Sequence, residues 1–272
     1  MPENLTAIEL NGKEFTLSYS LFNGKDRPIV FIPGLGATKE VFDKAAHYLQ
    51  SNGLMNKLLF LDSPGFGQSI APDDFDYSLE TQAEVIAKLL KELDLGRCHI
   101  VGHSQGGVIA LLLAERFPKC VFSFVNLEGN LYKADGLTST RVAAAKNYEK
   151  EIEAIVEEYS RNQSPGRRAY AQMIGQANSE SYYKSAVKLK EATAGNDLLE
   201  RMEALKKTLV GRVCYFVGEK TPVPAYNKIW ESEVDVLKIW GSGHFMMVDN
   251  PKEFYRKLGQ KIKSFEAEVK KS

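Results

Sequence analysis

One serine in a glycine-rich turn and four histidines are the residues of this sequence best suited to acid–base and nucleophilic chemistry. Ser104 stands in Gly102-His-Ser-Gln-Gly-Gly107, with a glycine two positions to either side of it. An apolar run from Cys98 to Val101 comes just before, and a helical pattern from Val108 follows, so the serine falls on a sharp turn from strand to helix. Such a turn presses together the residues two before and two after the serine, and glycine is small enough for both places. It lifts the hydroxyl clear of the backbone and sets it at the positive end of a helix, where negative charge can develop. A serine held in this way is a candidate nucleophile, and it needs a base to take its proton.

The candidate bases are His47, His99, His103 and His244. His47 falls in a helical pattern, His99 inside a buried-looking strand, and His103 precedes Ser104, with its side chain expected to point away. His244 lies in Gly241-Ser-Gly-His-Phe245, a loop just past the last strand-like run. That is the carboxyl edge of the sheet, where ligands bind in open α/β folds. His244 is therefore the expected general base.

The elements that must position these residues follow an alternating pattern. Two short strands, about 4–10 and 13–21, flank the hairpin dipeptide Asn11-Gly12. Ile29–Ile32, Lys57–Leu61, Cys98–Val101 and Val121–Val125 predict buried strands, with helices near 38–52, 79–94 and 105–117 between them. From about 129 to 207 the pattern changes to helical spacing rich in Ala, Glu, Lys and Tyr. Alternation resumes with a strand at Arg212–Val217, a helix near 224–232, a strand at Val234–Trp240 and a closing helix after Pro251. The expected organisation is an α/β core over residues 1–128 and 208–272, interrupted by a helical insertion over 129–207.

Pro33-Gly-Leu-Gly36, Asp62-Ser-Pro-Gly-Phe-Gly-Gln-Ser69, Gly102-His-Ser-Gln-Gly-Gly107 and Gly243-His-Phe245 occur in that order. Together they resemble the α/β-hydrolase family over nearly the whole chain outside the insertion. The resemblance implies a mostly parallel eight-stranded sheet flanked by helices, an inserted helical cap, and a serine, acid, histidine order along the chain. It also implies an oxyanion hole built from the backbone N–H groups of Gln105 and Leu35, with Gly34 and Gly36 allowing that backbone a close approach. Loss of one such donor typically costs about 3–4 kcal/mol of transition-state stabilisation. Pro33 stands where many relatives place a histidine, a departure that leaves a backbone donor intact.

The acid departs from the common pattern. Many relatives end the strand before the last with Gly-x-x-Asp, whereas Gly218-Glu-Lys-Thr221 puts a threonine at that position. A hydroxyl cannot stabilise an imidazolium as a carboxylate does. The family has a second location for the acid, just after the strand that follows the nucleophile helix, as in the haloalkane dehalogenases. Val125-Asn-Leu-Glu-Gly129 ends that strand here, which makes Glu128 the expected acid and Glu219 its competitor.

The set Ser104, Glu128 and His244 implies hydrolysis of a carboxylic ester or related acyl substrate through an acyl-enzyme, with no metal or organic cofactor. Thioesters, lactones or carbon–carbon bonds are alternative targets of the same residues. Thr221 raises the further alternative of a non-catalytic small-molecule binder. Phe245, Met246 and Met247, with Tyr148, Tyr159, Tyr170 and Met173, are candidates for pocket lining or for core. The Asp62 segment reads as loop architecture, and Asp249-Asn-Pro251 as the start of the final helix.

Bulk properties narrow the partners. A chain of 272 residues, 44% hydrophobic, can bury a large core. Lys plus Arg total 35 and Asp plus Glu total 35, so no net field draws it to nucleic acid or anionic membranes. The longest fully apolar stretch, Val108 to Ala114, is far below the roughly 20 residues that a bilayer span needs. The first residues lack the basic start and apolar run of a secretory signal. Cys98, Cys120 and Cys214 lie in or beside apolar runs and read as small buried hydrophobes. A cytoplasmic protein with a small-molecule acyl substrate is the expectation, and oligomeric state leaves no signature in the sequence.

Overall fold

The computed structural model describes residues 3–132, 135–195, 197–222 and 227–269. Eight strands form one sheet: β1 (Asn4–Leu10), β2 (Lys13–Phe22), β3 (Asp26–Ile32), β4 (Asn56–Leu61), β5 (Cys98–His103), β6 (Val121–Leu127), β7 (Val213–Gly218) and β8 (Asp235–Ile239). Their order is β1-β2-β4-β3-β5-β6-β7-β8. β2 pairs antiparallel with both β1 and β4, and every other neighbouring pair is parallel. Asn11 and Gly12 turn the first hairpin with φ of 53° and 74°, the left-handed conformation that this dipeptide adopts at little cost.

The central strands are largely apolar because helices cover both faces of the sheet, and their few polar residues, such as His99, Ser123 and Asn126, are buried with them. Every residue of β5, β6 and β7 is buried. Phe31, Phe60, Phe124 and Phe216 are fully buried, each contributing roughly 1.5–3 kcal/mol through burial of its side chain. The covering helices include α2 (Leu79–Glu92), α3 (Gln105–Arg116) and α11 (Pro251–Val269). Ser78 caps α2 by accepting from the Thr81 N–H at 3.3 Å.

The helix expected over 38–52 is broken into a short 3₁₀ turn, Lys39–Phe42, and α1 (Ala45–Ser51). The cause lies outside the segment. Asp62, fully buried, accepts from both the backbone N–H and the Nζ of Lys39, each at 2.7 Å. This fixes the chain at residue 39 and buries a lysine that sequence pattern would leave in solvent.

Between β6 and β7 lie α4 (Leu137–Ala144), α5 (Tyr148–Ser160), α6 (Pro165–Ile174), α7 (Ser179–Ala192) and α8 (Leu198–Thr208). α6 and α7 bond to the loops at the carboxyl ends of the strands. Tyr170 donates to the Leu35 carbonyl at 2.8 Å, Tyr77 to Ser181 at 2.6 Å, and Gln105 Nε2 to Ser185 Oγ at 2.8 Å. α8 instead lies on α3 and β7, with Arg201 paired to Glu115. The helix expected near 224–232 is described only as α9 (Asn227–Glu231), and residues 224–226 lie outside the described residues. A short α10 (Met246–Asp249) precedes α11. Among the described residues no helix is long and apolar enough to cross a membrane.

Candidate active site

Ser104 sits between the last residue of β5 and the first of α3, with φ of 52° and ψ of −122°. For a residue with a Cβ this conformation is strained. The glycines around it are required by space. A Cβ at Gly102 would lie 2.2 Å from the Gly106 carbonyl oxygen, and one at Gly106 would lie 2.4 Å from the carbonyl oxygens of Ile32 and Pro33. The Ser104 N–H donates to the Leu127 carbonyl at 3.0 Å, tying the turn to the end of β6.

Glu128 follows directly on β6. It too has a positive φ, 45°, so two of the non-glycine residues in that region face one another across neighbouring strand ends. Such strain persists only where surrounding bonds over-determine it. The Glu128 N–H donates to Phe216 in β7 at 3.0 Å. Its carboxylate, fully buried, accepts from the Gly218 N–H at 2.6 Å and the Thr221 hydroxyl at 2.7 Å through Oε1. Oε2 takes the third bond, from His244 Nδ1 at 2.7 Å. The structure thus brings Glu128 and His244 together. Thr221, at the position where the family resemblance points to an acid, donates to that same carboxylate. Glu219 is exposed and accepts from the Gly241 N–H at 2.7 Å.

With Nδ1–H committed to Glu128, the Nε2 of His244 carries the free lone pair. Ser104 and His244 line one cavity of about 340 Å³ beneath α4, α5 and α6, together with Leu35, Asn130, Tyr170 and Phe245. The Ser104 hydroxyl donates to Asn130 Oδ1 at 3.3 Å. Leu35 borders the cavity, and the N–H of Gln105 is among the first four of α3, which have no acceptor within the helix. Gly36, at φ 69°, has no room for a side chain, since a Cβ would come within 2.6 Å of the Tyr182 ring.

His103 is closer to this chemistry than its place in the sequence suggests. Its ring lies 4.6 Å from that of His244, and its Nε2 donates to the His244 carbonyl at 3.0 Å. Complete burial holds His103 well below the ordinary histidine range, so the ring is neutral and Nδ1 is bare. His99 is buried, bonded to Ser123 and Glu266, and burial brings it down to about 4. His47 is exposed on α1.

Asn130, Asp135 and Arg167 are among the cavity residues that sequence pattern did not single out. The Asp135 Oδ2 accepts from the N–H groups of Leu131 and Tyr132, while its Oδ1 is buried with no partner among the described residues. Burial pushes this carboxyl up to about 7, against the pull of those two N–H groups. Of the aromatic and sulfur candidates, Tyr159, Tyr170 and Phe245 line the cavity. Tyr148 stacks on Tyr183, Met173 borders a second cavity beside Lys39, and Met246 and Met247 are buried in α10. Cys98 and Cys214 are buried free thiols, Cys120 a half-buried one. No group of three or more metal-ligating side chains gathers among the described residues.

A sheet of this order, with a serine on a strained strand-to-helix turn and a histidine beyond the last strand, has the architecture of an α/β-hydrolase. A sequence profile of the alpha/beta hydrolase fold matches residues 27–165, and the chain belongs to that family. The matched stretch includes Ser104 and Glu128 and ends before β7. The chain is 30% identical over 144 residues to an sn-1-specific diacylglycerol lipase, ABHD11, of Danio rerio, over 52% of this chain and 42% of that one. It is 33% identical over 102 residues to Lipase 1 of Psychrobacter immobilis, over 37% and 31% of the two chains. The alignments thus span less than half the length of these relatives. Among solved structures, a thermophilic esterase from Thermogutta terrifontis superposes with a TM-score of 0.76 at 18% identity, over 97% of this chain and 99% of the other. A carboxylesterase structure from Nitrososphaera gargenis gives a TM-score of 0.78, also at 18% identity, over 97% and 100%.

Proposed function

We propose that the protein is a serine hydrolase that cleaves a carboxylic ester or related acyl substrate, with Ser104, His244 and Glu128 as its triad. The observation that carries this is the 2.7 Å bond between His244 Nδ1 and a buried Glu128 carboxylate, at the edge of a cavity that also holds the strained Ser104. In this mechanism the Ser104 hydroxyl gives up Asn130 as its partner and turns to His244, which lines the same cavity. His244 Nε2 then takes the Ser104 proton as Oγ attacks the acyl carbon. The Leu35 and Gln105 N–H groups hold the oxyanion, and Glu128 offsets the charge that the ring gains. Collapse of the tetrahedral adduct breaks the bond to the leaving alkoxide, which takes the proton back from His244. Water, deprotonated by the same ring, attacks the acyl-enzyme and frees the carboxylic acid and Ser104.

The test is a short-chain aryl ester together with a fluorophosphonate probe. The native protein is expected to turn over the ester and carry one label, on Ser104. The Ser104→Ala variant should do neither while keeping its fold by circular dichroism. Turnover undiminished in Ser104→Ala would overturn the proposal.

A further inference from the structure

Arg167 in α6 borders the cavity that holds Ser104 and His244. Its guanidinium lies over the Tyr159 ring, 5.1 Å from the centroid, and has no oxygen partner among the described residues. Each of the other arginines among them donates to a carboxylate or a backbone carbonyl. The contrast is local as well as global: the adjacent Arg168 donates to the carbonyls of Asn162 and Gln163. A row of rings joins this cation to the candidate base. Tyr159 lies 6.2 Å from Tyr170, Tyr170 4.9 Å from Phe245, and Phe245 5.1 Å from His244.

A guanidinium presents a planar fork of donors that matches a carboxylate with two parallel bonds. Between apolar walls its field is focused and less screened than at an open surface. Besides the phenols of Tyr159 and Tyr170, the other ionisable groups on the cavity wall are His103, held neutral by its burial, His244 and Asp135. Burial brings Asp135 up to about 7, so around neutrality it carries its proton for much of the time and only partly offsets the arginine.

Resting on the ester-hydrolase function proposed above, we infer that the substrate carries a carboxylate remote from its ester bond, that Arg167 binds this group, and that Phe245, Tyr170 and Tyr159 flank the apolar part between. Arg167 is then the residue that sets specificity for acidic esters over neutral ones.

The experiment uses two pairs of substrates. In one, p-nitrophenyl monoesters of succinic, glutaric and adipic acids are compared with isopropyl-ended neutral esters of matched length. In the other, acetoxybenzoate is compared with phenyl acetate, which moves the charge to the alcohol side. The native protein should prefer the acidic member of at least one pair in kcat/KM by roughly tenfold or more, the scale of a charge-assisted paired hydrogen bond. Arg167→Gln should lose that preference, its kcat/KM falling roughly tenfold or more further on the acidic member of the pair than on the neutral one, and Arg167→Lys should keep part of it. No preference in the native protein, or a preference that survives Arg167→Gln, would overturn the inference. Calorimetric binding of free glutarate and adipate gives a readout independent of turnover. Weaker binding in Arg167→Gln supports the site even if Ser104→Ala shows the hydrolase proposal to be wrong, and equal binding counts against it.

Discussion

Replacing Glu128 by glutamine should disable the candidate triad through the direction in which the new amide is forced to point. Oε1 of Glu128 accepts from the Gly218 N–H and the Thr221 hydroxyl, at 2.6 and 2.7 Å. In Glu128→Gln these donors hold the amide oxygen on their side, because turning the NH₂ toward the Gly218 N–H would set two donors face to face in a buried site. The NH₂ then lies where Oε2 accepts from His244 Nδ1. Two donors cannot share that bond, so the imidazole must shift its proton to Nε2, the nitrogen required to accept from Ser104. In a serine protease the corresponding loss of the correct tautomer lowers turnover by about 10⁴. The two fixed donors on Oε1 give the present site the same logic, and a fall in kcat of about 10³–10⁴ is expected with little change in KM. Steady-state kinetics on an aryl ester and the rate of fluorophosphonate labelling measure it, with thermal melting as the check on folding. A well-folded Glu128→Gln variant with turnover within tenfold of the native protein would refute the reasoning. Glu219→Gln should leave kcat nearly unchanged.

Three other outcomes are expected. Gly106→Ala drives a Cβ to 2.4 Å from two backbone carbonyl oxygens at the end of β3, and should cost about 3 kcal/mol in denaturant unfolding, near the top of the usual range for overpacking; a cost under about 1 kcal/mol would mean that the turn has slack. Tyr170→Phe removes the hydroxyl that joins Leu35 to Tyr182; it should cost about 1–3 kcal/mol of stability and lower kcat more than it raises KM, whereas an unchanged kcat would separate this bond from oxyanion binding. The third outcome follows from the buried Asp135 carboxyl, which burial raises from 3.8 to about 7. Between those pH values the folded chain keeps a proton that the unfolded chain has lost, so this group's contribution to stability is lost as pH rises through the window. Asp135→Asn cannot ionise, and unfolding curves should show it gaining on the native protein from about pH 4 to about pH 8 by at most about 4 kcal/mol.

Residues whose setting is local were the most legible in the sequence. The central strands announce themselves because burial on both faces demands mainly apolar runs, and the turn at Ser104 because its neighbours on both sides are adjacent in the chain. Glu128 could be selected only through a family resemblance, since 116 residues separate it from His244. Arg167, Asn130 and Asp135 gave no pattern at all. Each is an ordinary polar residue until the folded chain decides which of its partners are missing. Lys39 shows the same limit: its burial is set by Asp62, 23 positions away, and it cut in two a helix that periodicity would have carried through. His103 was set aside on the alternation of side chains, which says where a ring starts but not what its far edge touches.

The last helix begins within Asp249-Asn-Pro251, and of the two capping candidates there it is Asn250 that accepts from the Glu253 N–H, at 3.3 Å. Asp249 instead accepts from Ser164 Oγ and the Gly166 N–H through Oδ1, and from the Gly243 N–H through Oδ2. One carboxylate therefore clasps both the start of α6 and the residue before His244, and Arg167 is the next residue after Gly166. Were α6 to shift, the pull would reach the backbone beside His244 through this carboxylate. The roof of the cavity and the loop that carries the proton acceptor thus share one anchor.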